Sequence, residues 1–257
     1  MRQHEGVTEP LLRASSVKLL DVHRLRLVEA AAPCLSPDDR VAMDRAWEKA
    51  VRANPSLFDG PVAACTRLEQ EGPDGLVLAW ARTTYRQYAL RKVPSATTWL
   101  PSLYVSVLQP TDDGRLLVGR MSPSTASPGR WQLPGGCVEP PAGDEPLDVA
   151  ALHRHAAREL VEETGLDTPP GDLTPWLVAR GTKGSIGVVF RAPSRPASLL
   201  LDRFAALVAE ETALGRDPEL DRIAFVRSPA ELPGLGGDRV DYLEPIVRRY
   251  ERAYPSA

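Results

Sequence analysis

The sequence predicts an α/β protein: an α/β domain over residues 99–257 behind a small α+β lobe over residues 1–98. Three observations lead there. Short apolar runs with partial alternation, bounded by Gly, Pro, Asn and Asp, recur through both parts and suit strands. Long stretches of helical periodicity stand among them, around residues 149–166, 199–214 and 241–254. The chain has 257 residues, 43% of them hydrophobic, and a net charge of −3, which is enough for one large or two small domains around a substantial core.

The elements follow in order. Residues 1–16 are polar and mixed and suit a frayed end. Val17 to Val28 alternates in part, as one strand or two short ones. Ser36-Pro37-Asp38-Asp39 is a helix start, with a capping hydroxyl, a proline in the first turn and acids at the positive end. That helix is expected to reach Ala53 with Val41, Ala42, Trp47 and Val51 inward. Asn54 to Pro61 is a loop of turn residues around two apolar anchors, Leu57 and Phe58. Val62–Leu68 and Leu76–Thr83, joined by Gly72-Pro73-Asp74-Gly75, read as a hairpin. Thr84–Leu90 suits a short helix and residues 91–101 a connector. Leu103–Leu108 and Leu116–Gly119 flank the turn Asp112-Asp113-Gly114 as a second hairpin. After a Ser/Pro loop over residues 122–129 come the central stretch described next and two strands, Leu177–Arg180 and Ile186–Phe190. An amphipathic helix over Leu199–Leu214, a strand near Leu220–Val226 and a closing helix over Asp241–Tyr254 complete the chain.

The chemistry concentrates between Gly135 and Leu166. Glu159, Glu162 and Glu163 stand at i, i+3 and i+4, so a helix puts them on one face. Val149, Leu152, Ala156 and Leu160 occupy the neighbouring arc and can face a core. The acids lie in the last turn before Gly165, a C-cap candidate. The helix dipole disfavours each carboxylate there by a few tenths to about 1 kcal/mol. A repelling cluster at the negative end makes sense if a cation neutralises it, and hard oxygen donors suit Mg²⁺ or Mn²⁺. Arg158, four residues before Glu162, can hold that carboxylate. The bland reading is a solvated Arg-Glu helix face. The glycines on both sides weigh against it.

Arg158 to Leu166 fills every fixed position of R-E-U-x-E-E-x-G-U and resembles the second half of a Nudix box. Leu133-Pro134-Gly135-Gly136 is similar to the start of the same box. Gly136 and Arg158 are 22 positions apart where the family pattern has 14, so eight residues are extra. The box Glu of that loop is Glu145 or Glu139, and the alignment does not choose. Trp47, Asn54-Pro55-x-Leu57-Phe58-Asp59-Gly60 and Thr84-Tyr85-Arg86 are similar to the leader of one branch of this superfamily, that of animal UDP-glucose and UDP-galactose hydrolases and related plant proteins.

The resemblance implies an α/β/α sandwich with a mixed sheet and metal-dependent hydrolysis of a nucleoside diphosphate linked to another moiety. The leader implies a UDP-sugar, cleaved to UMP and sugar 1-phosphate. Glu159, Glu162 and Glu163 are the expected ligands of Mg²⁺ or Mn²⁺, with Arg158 orienting Glu162. Glu163, Glu145 and Glu219 are the candidates for taking a proton from water. Gly135 and Gly136 let the backbone approach substrate closely. Trp131 and Tyr85 are candidates to stack on a base, with support of the Gly loop and hairpin packing as the alternatives. Lys183, one of four lysines, meets a phosphate or lies in a solvated turn. His155 tunes a carboxylate or is a surface residue; His153 is structural. Cys137 is a small buried residue. ADP-ribose, NADH, a nucleoside triphosphate or a prenyl diphosphate stay open as substrates, as does a non-catalytic module that senses a nucleotide.

Composition removes other classes. There is no basic excess for a nucleic-acid partner, no apolar run long enough for a membrane span and no signal-peptide core. Cys34, Cys65 and Cys137 have no zinc spacing and no disulfide framework, which suits a cytoplasmic protein. A small-molecule nucleotide is the expected partner, and a homodimer is left open.

Overall fold

The computed structural model describes residues 16–96, 98–143 and 145–254. In chain order the elements are β1 (Lys18–Asp21), β2 (Arg24–Glu29), α1 (Pro37–Ala53), β3 (Pro61–Glu71), β4 (Gly75–Thr84), β5 (Leu103–Leu108), β6 (Leu116–Met121), β7 (Trp131–Gln132), α2 (Val149–Thr164), β8 (Thr174–Arg180), β9 (Ile186–Arg191), α3 (Ala197–Ala213), β10 (Leu220–Val226) and α4 (Leu243–Ala253). A 3₁₀ turn over Tyr85–Lys92 follows β4. The frayed end expected at residues 1–16 lies outside the described residues except for Ser16.

The main sheet has the order β1-β8-β9-β5, with β9 and β5 parallel and the other pairs antiparallel. Its residues alternate between two cores, as a pleated strand requires. Val105, Val107, Val178, Val188 and Phe190 join Leu152, Ala156, Leu160 and Leu200 of α2 and α3. Leu108, Leu177, Ala179 and Val189 join Leu243, Ile246, Val247 and Tyr250 of α4 on the other face. This is the expected α/β/α sandwich with a mixed sheet. A second sheet, β10-β6-β7, is antiparallel throughout.

The second predicted hairpin needs correction. Both strands form, but β6 leaves β5 and pairs with β10 and β7. The chain turns a corner at Gln109–Thr111. Pro110 there has no N–H to continue a ladder, and buried Gln109 donates to the carbonyls of Pro110 and Pro193 at 2.8 and 2.9 Å. The bridge from Pro110 to Leu116 lies at the corner, beyond the end of β5.

The leader builds a third sheet, β2-β4-β3, on the predicted β3–β4 hairpin. Ala63, Cys65, Leu76, Leu78 and Trp80 of that hairpin share the core under α2. The Val17–Val28 stretch divides: β1 becomes an edge of the main sheet and β2 an edge of the leader sheet. Helix α1 starts as expected, with the Ser36 hydroxyl accepting the Asp39 N–H at 3.0 Å. It buries no residue fully, and Val41, expected inward, is 50% exposed. The helix leans on the 3₁₀ turn, where Trp47 meets Tyr85 edge-on at 6.2 Å and Tyr85 meets Tyr88 at 5.5 Å. That narrow support leaves the opposite side of α1 to solvent. No helix among the described residues is long and apolar enough to cross a membrane.

Candidate active site

Helix α2 positions the acids. Asp148 caps its start by accepting the Ala151 N–H at 2.7 Å, and Gly165 ends it in the left-handed conformation. Between them Leu152, Ala156 and Leu160 are fully buried, which fixes the helix's rotation and aims the acidic face at the Gly-Gly loop. That loop runs extended beside β5: Pro134 and Gly136 carbonyls accept the N–H groups of Val107 and Val105 at 2.7 and 3.0 Å. On its other side the Val138 carbonyl accepts the Ala63 N–H of β3 at 2.7 Å. The loop is therefore held between the leader hairpin and the main sheet.

Both glycines are required by close approach. Gly135 has φ +147°, and a Cβ there would stand 2.1 Å from the Val105 carbonyl oxygen. A Cβ on Gly136 would stand 2.4 Å from Glu159 Oε2. Sequence spacing aligns the acids; these two contacts bring them against the loop.

The three helix acids occupy different environments. Glu163 is 1% exposed; its Oε2 accepts the Gly135 N–H at 2.7 Å, and its buried Oε1 has no protein partner. Burial pushes its carboxyl well above the usual range. The charge of Glu219 pushes the same way, the Gly135 N–H opposes it, and Glu159 and Glu162 add to the rise. Glu162 is more than half exposed. It is raised by partial burial and then by Glu159, against the pull of Arg158. Glu219, just before β10, has an exposed side chain at the cleft, yet the protein around its carboxyl raises it by partial burial and then by the charges of Glu159 and Glu162. The charge of Glu159 acts on all three of these carboxyls.

Glu159 is buried beside His155, and the structure corrects the reading of that histidine as a surface residue: it is 8% exposed. Arg158 Nη2 lies 2.9 Å from His155 Nδ1, and since a guanidinium can only donate, Nδ1 is the acceptor. Nε2 is then the ring nitrogen left to donate. That N–H faces the Cys137 carbonyl at 2.9 Å and Glu159 Oε1 at 3.1 Å. Arg158 is 3.3 Å from Glu139 and 3.8 Å from Glu162, so it spans loop and helix rather than serving Glu162 alone. His153 is structural as expected, with Nδ1 2.9 Å from the Pro170 carbonyl and its ring edge-on to Phe190. Burial pushes the Cys137 thiol up to about 11, which keeps it protonated.

A cleft of about 750 Å³ opens over the Gly-Gly loop. Gly135, Gly136, Glu219, Lys183 and Tyr85 all line it. Trp131 does not. It is 1% exposed and donates its indole N–H to the Gly236 carbonyl at 2.9 Å, so it supports the loop from behind and presents no face to a base. Glu145 is exposed and makes no ion pair among the described residues; of the two loop acids, Glu139 is the one that reaches Arg158. Lining residues that sequence reading did not single out include Arg91, Arg130 and Arg239. Arg91 had no local signal. It came from an apparent connector, and only folding stacks its guanidinium over Tyr88, 4.3 Å from the ring centre.

Among the described residues no three His, Cys, Asp or Glu side chains close on a common point as a preformed ion cage. The donors nevertheless suit a divalent cation in chemistry and in charge. They are hard oxygens, one is a buried oxygen without a partner, and three carboxyls are pushed up by burial and by one another's negative charge.

The sequence profile of the NUDIX domain matches residues 101–245, more than half of the chain, and the chain belongs to the Nudix family. That makes it a pyrophosphohydrolase acting on nucleoside diphosphates with a divalent cation. Similar solved structures include the MutT protein of Methanosarcina mazei Go1, with 25% identity over 60% of this chain and 95% of that one at a TM-score of 0.39. The NUDIX domain of Shewanella oneidensis NrtR, solved with ADP ribose, is 19% identical over 67% of this chain and 100% of that one, at 0.40. DR0079 of Deinococcus radiodurans is 16% identical over 74% and 98%, also at 0.40. No curated protein matches the sequence.

Proposed function

We propose that the chain hydrolyses a UDP-sugar to UMP and sugar 1-phosphate. One observation carries the substrate part. The leader segments that resemble the UDP-sugar hydrolase branch, around Leu57–Phe58 and at Tyr85, form one wall of the cleft that holds Gly135, Gly136 and Glu219.

In this reading Glu159, Glu162 and Glu163 hold Mg²⁺ or Mn²⁺, which when bound neutralises diphosphate charge and lowers the pKa of the attacking water. Glu219 takes the water's proton. It lines the cleft and is open to solvent, whereas Glu163 is buried and Glu145 stands apart. Lys183 and Arg91 meet phosphate oxygens from the walls. Water adds across the P–O–P bridge, and the two monophosphates leave.

The test is a panel of UDP-sugars, ADP-ribose, NADH, nucleoside triphosphates and prenyl diphosphates with Mg²⁺ or Mn²⁺, with products measured. Fastest turnover is expected for a UDP-sugar. Turnover of ADP-ribose without any UDP-sugar would overturn the substrate. No turnover anywhere, with nucleotide binding intact, would make the chain a nucleotide sensor.

A further inference from the structure

Phe58 was expected to be an apolar anchor of its loop. Instead it is 75% exposed, well above any other large apolar side chain among the described residues. It stands on the cleft wall with Tyr85 and Arg91, and Ser124 to Ser127 line the same cleft. A Phe left in water forgoes the gain of burial, so its loop must be held there by other bonds. It is. Asn54 Oδ1 accepts the Ser56 N–H at 3.1 Å, and the Leu57 N–H reaches the Asn54 carbonyl at 3.1 Å. Asp59 accepts the Arg86 N–H at 2.8 Å, and the Gly60 carbonyl accepts the Tyr85 N–H at 2.9 Å. Asn54 Nδ2 also reaches across to the Thr125 carbonyl at 2.8 Å, tying this loop to the opposite lip. The Phe58 ring rests against Gly60, where a Cβ would stand 2.5 Å from Cε1. Any side chain at position 60 would push the ring from its place.

A rigid aromatic ring presented to a cleft beside diphosphate machinery suits a flat partner. We infer that Phe58 is the stacking platform for the nucleobase of the substrate, and that it selects nucleotides over diphosphates that lack a base. This rests on the proposed function for the reacting site and adds the residue that reads the other end of the substrate. Stacking accepts any base, because every base has a π-face. The selection is therefore for the nucleotide class, and the polar atoms around the ring are left to discriminate among bases.

The experiment measures binding of UDP, ADP and inorganic pyrophosphate by calorimetry to wild type, Phe58→Ala and Phe58→Trp, beside kcat and KM on the best substrate of the panel. Phe58→Ala is expected to weaken both nucleotides by about 5- to 150-fold, to leave pyrophosphate binding unchanged, and to raise KM with kcat retained. Phe58→Trp is expected to restore affinity, with its fluorescence changing on nucleotide addition. Unchanged nucleotide affinity in Phe58→Ala overturns the inference, as does an equal loss for pyrophosphate, which would mean the cleft itself had collapsed. A wild type that binds no nucleotide overturns the proposed function and this inference together, and that failure is recognised because the unmutated chain shows it.

Discussion

The two walls of the cleft were built in opposite ways. The acid wall comes from one helix turn and the loop it faces, so its residues are near neighbours in sequence. The leader wall brings Phe58 from the loop after α1, and Tyr85 and Arg91 from the two ends of the 3₁₀ turn that follows β4. The acid wall is charged and under-neutralised. The leader wall is aromatic, cationic and stiffened by backbone bonds. The difference suggests a division of labour: the first wall sets the reaction, which the family shares, and the second sets which molecule is presented to it.

The largest effect that can break this division is on the acid wall. Glu162→Gln and Glu163→Gln should each reduce the rate on the order of 10²- to 10⁴-fold without unfolding; near-normal rates would mean the metal site is elsewhere. Glu163→Gln carries a second, opposite expectation. The folded state holds the Glu163 carboxyl above its unfolded value, so it prefers the proton. The stability this group contributes is fully present below the unfolded value and is lost as pH rises through the folded one. Metal-free protein should thus lose stability on going from acid to neutral pH. Glu163→Gln should then be more stable than wild type at neutral pH without metal, by about 2–8 °C in Tm. Added Mg²⁺ should narrow that gap by stabilising wild type, and scanning fluorimetry reads both.

Trp131→Ala should cost about 3–5 kcal/mol, as expected for emptying a fully buried indole site. Trp131→Phe should cost far less and leave KM unchanged. A KM increase in Trp131→Phe, measured with the protein still folded, would place the indole in substrate contact after all.

His155 sharpens the acid wall from behind, since it joins Arg158, the loop carbonyl and Glu159. His155→Ala should weaken metal affinity about 10- to 100-fold, read as Mn²⁺ binding by electron paramagnetic resonance and as a higher metal concentration for half-maximal rate. His155→Gln, which can still donate to Glu159, should recover part of it. A fall in kcat at saturating metal with unchanged Mn²⁺ affinity would assign His155 to the reaction itself.

The smallest effect belongs to the leader wall's frame. Asn54→Ala removes the tie to Thr125 and should raise KM several-fold with kcat intact, for a loss of about 1 kcal/mol. Equal losses for nucleotides and for pyrophosphate would show that the tie supports the whole cleft.

Much of the fold was legible because its signals are local. The Ser36 cap, the Gly72–Gly75 hairpin turn, the αL end at Gly165 and the alternating strands each need only a few adjacent residues. Strand partners were not legible. The turn at Asp112–Gly114 was visible, but whether β6 returns on β5 depends on the corner at Gln109–Thr111, held by Pro193 far along the chain. Side-chain exposure was half legible. The core arc of α2 came from periodicity, yet His155 lies at its edge, and its burial depends on the Cys137 carbonyl that closes over it.

By itself, then, the sequence determined that an acidic face ends one helix, because 3.6-residue spacing is a property of the helix alone. It determined the glycines before that helix, since nothing larger could stand against Glu159 or β5. The tertiary structure decided which acid is sealed and which is open, because burial is set by what folds over a residue. It placed Trp131 behind the loop and Phe58 in front of it, although both are aromatic residues two positions from a glycine in sequence. Periodicity fixes where a side chain points within its own element. Only packing between elements fixes whether that direction leads to core, cleft or solvent.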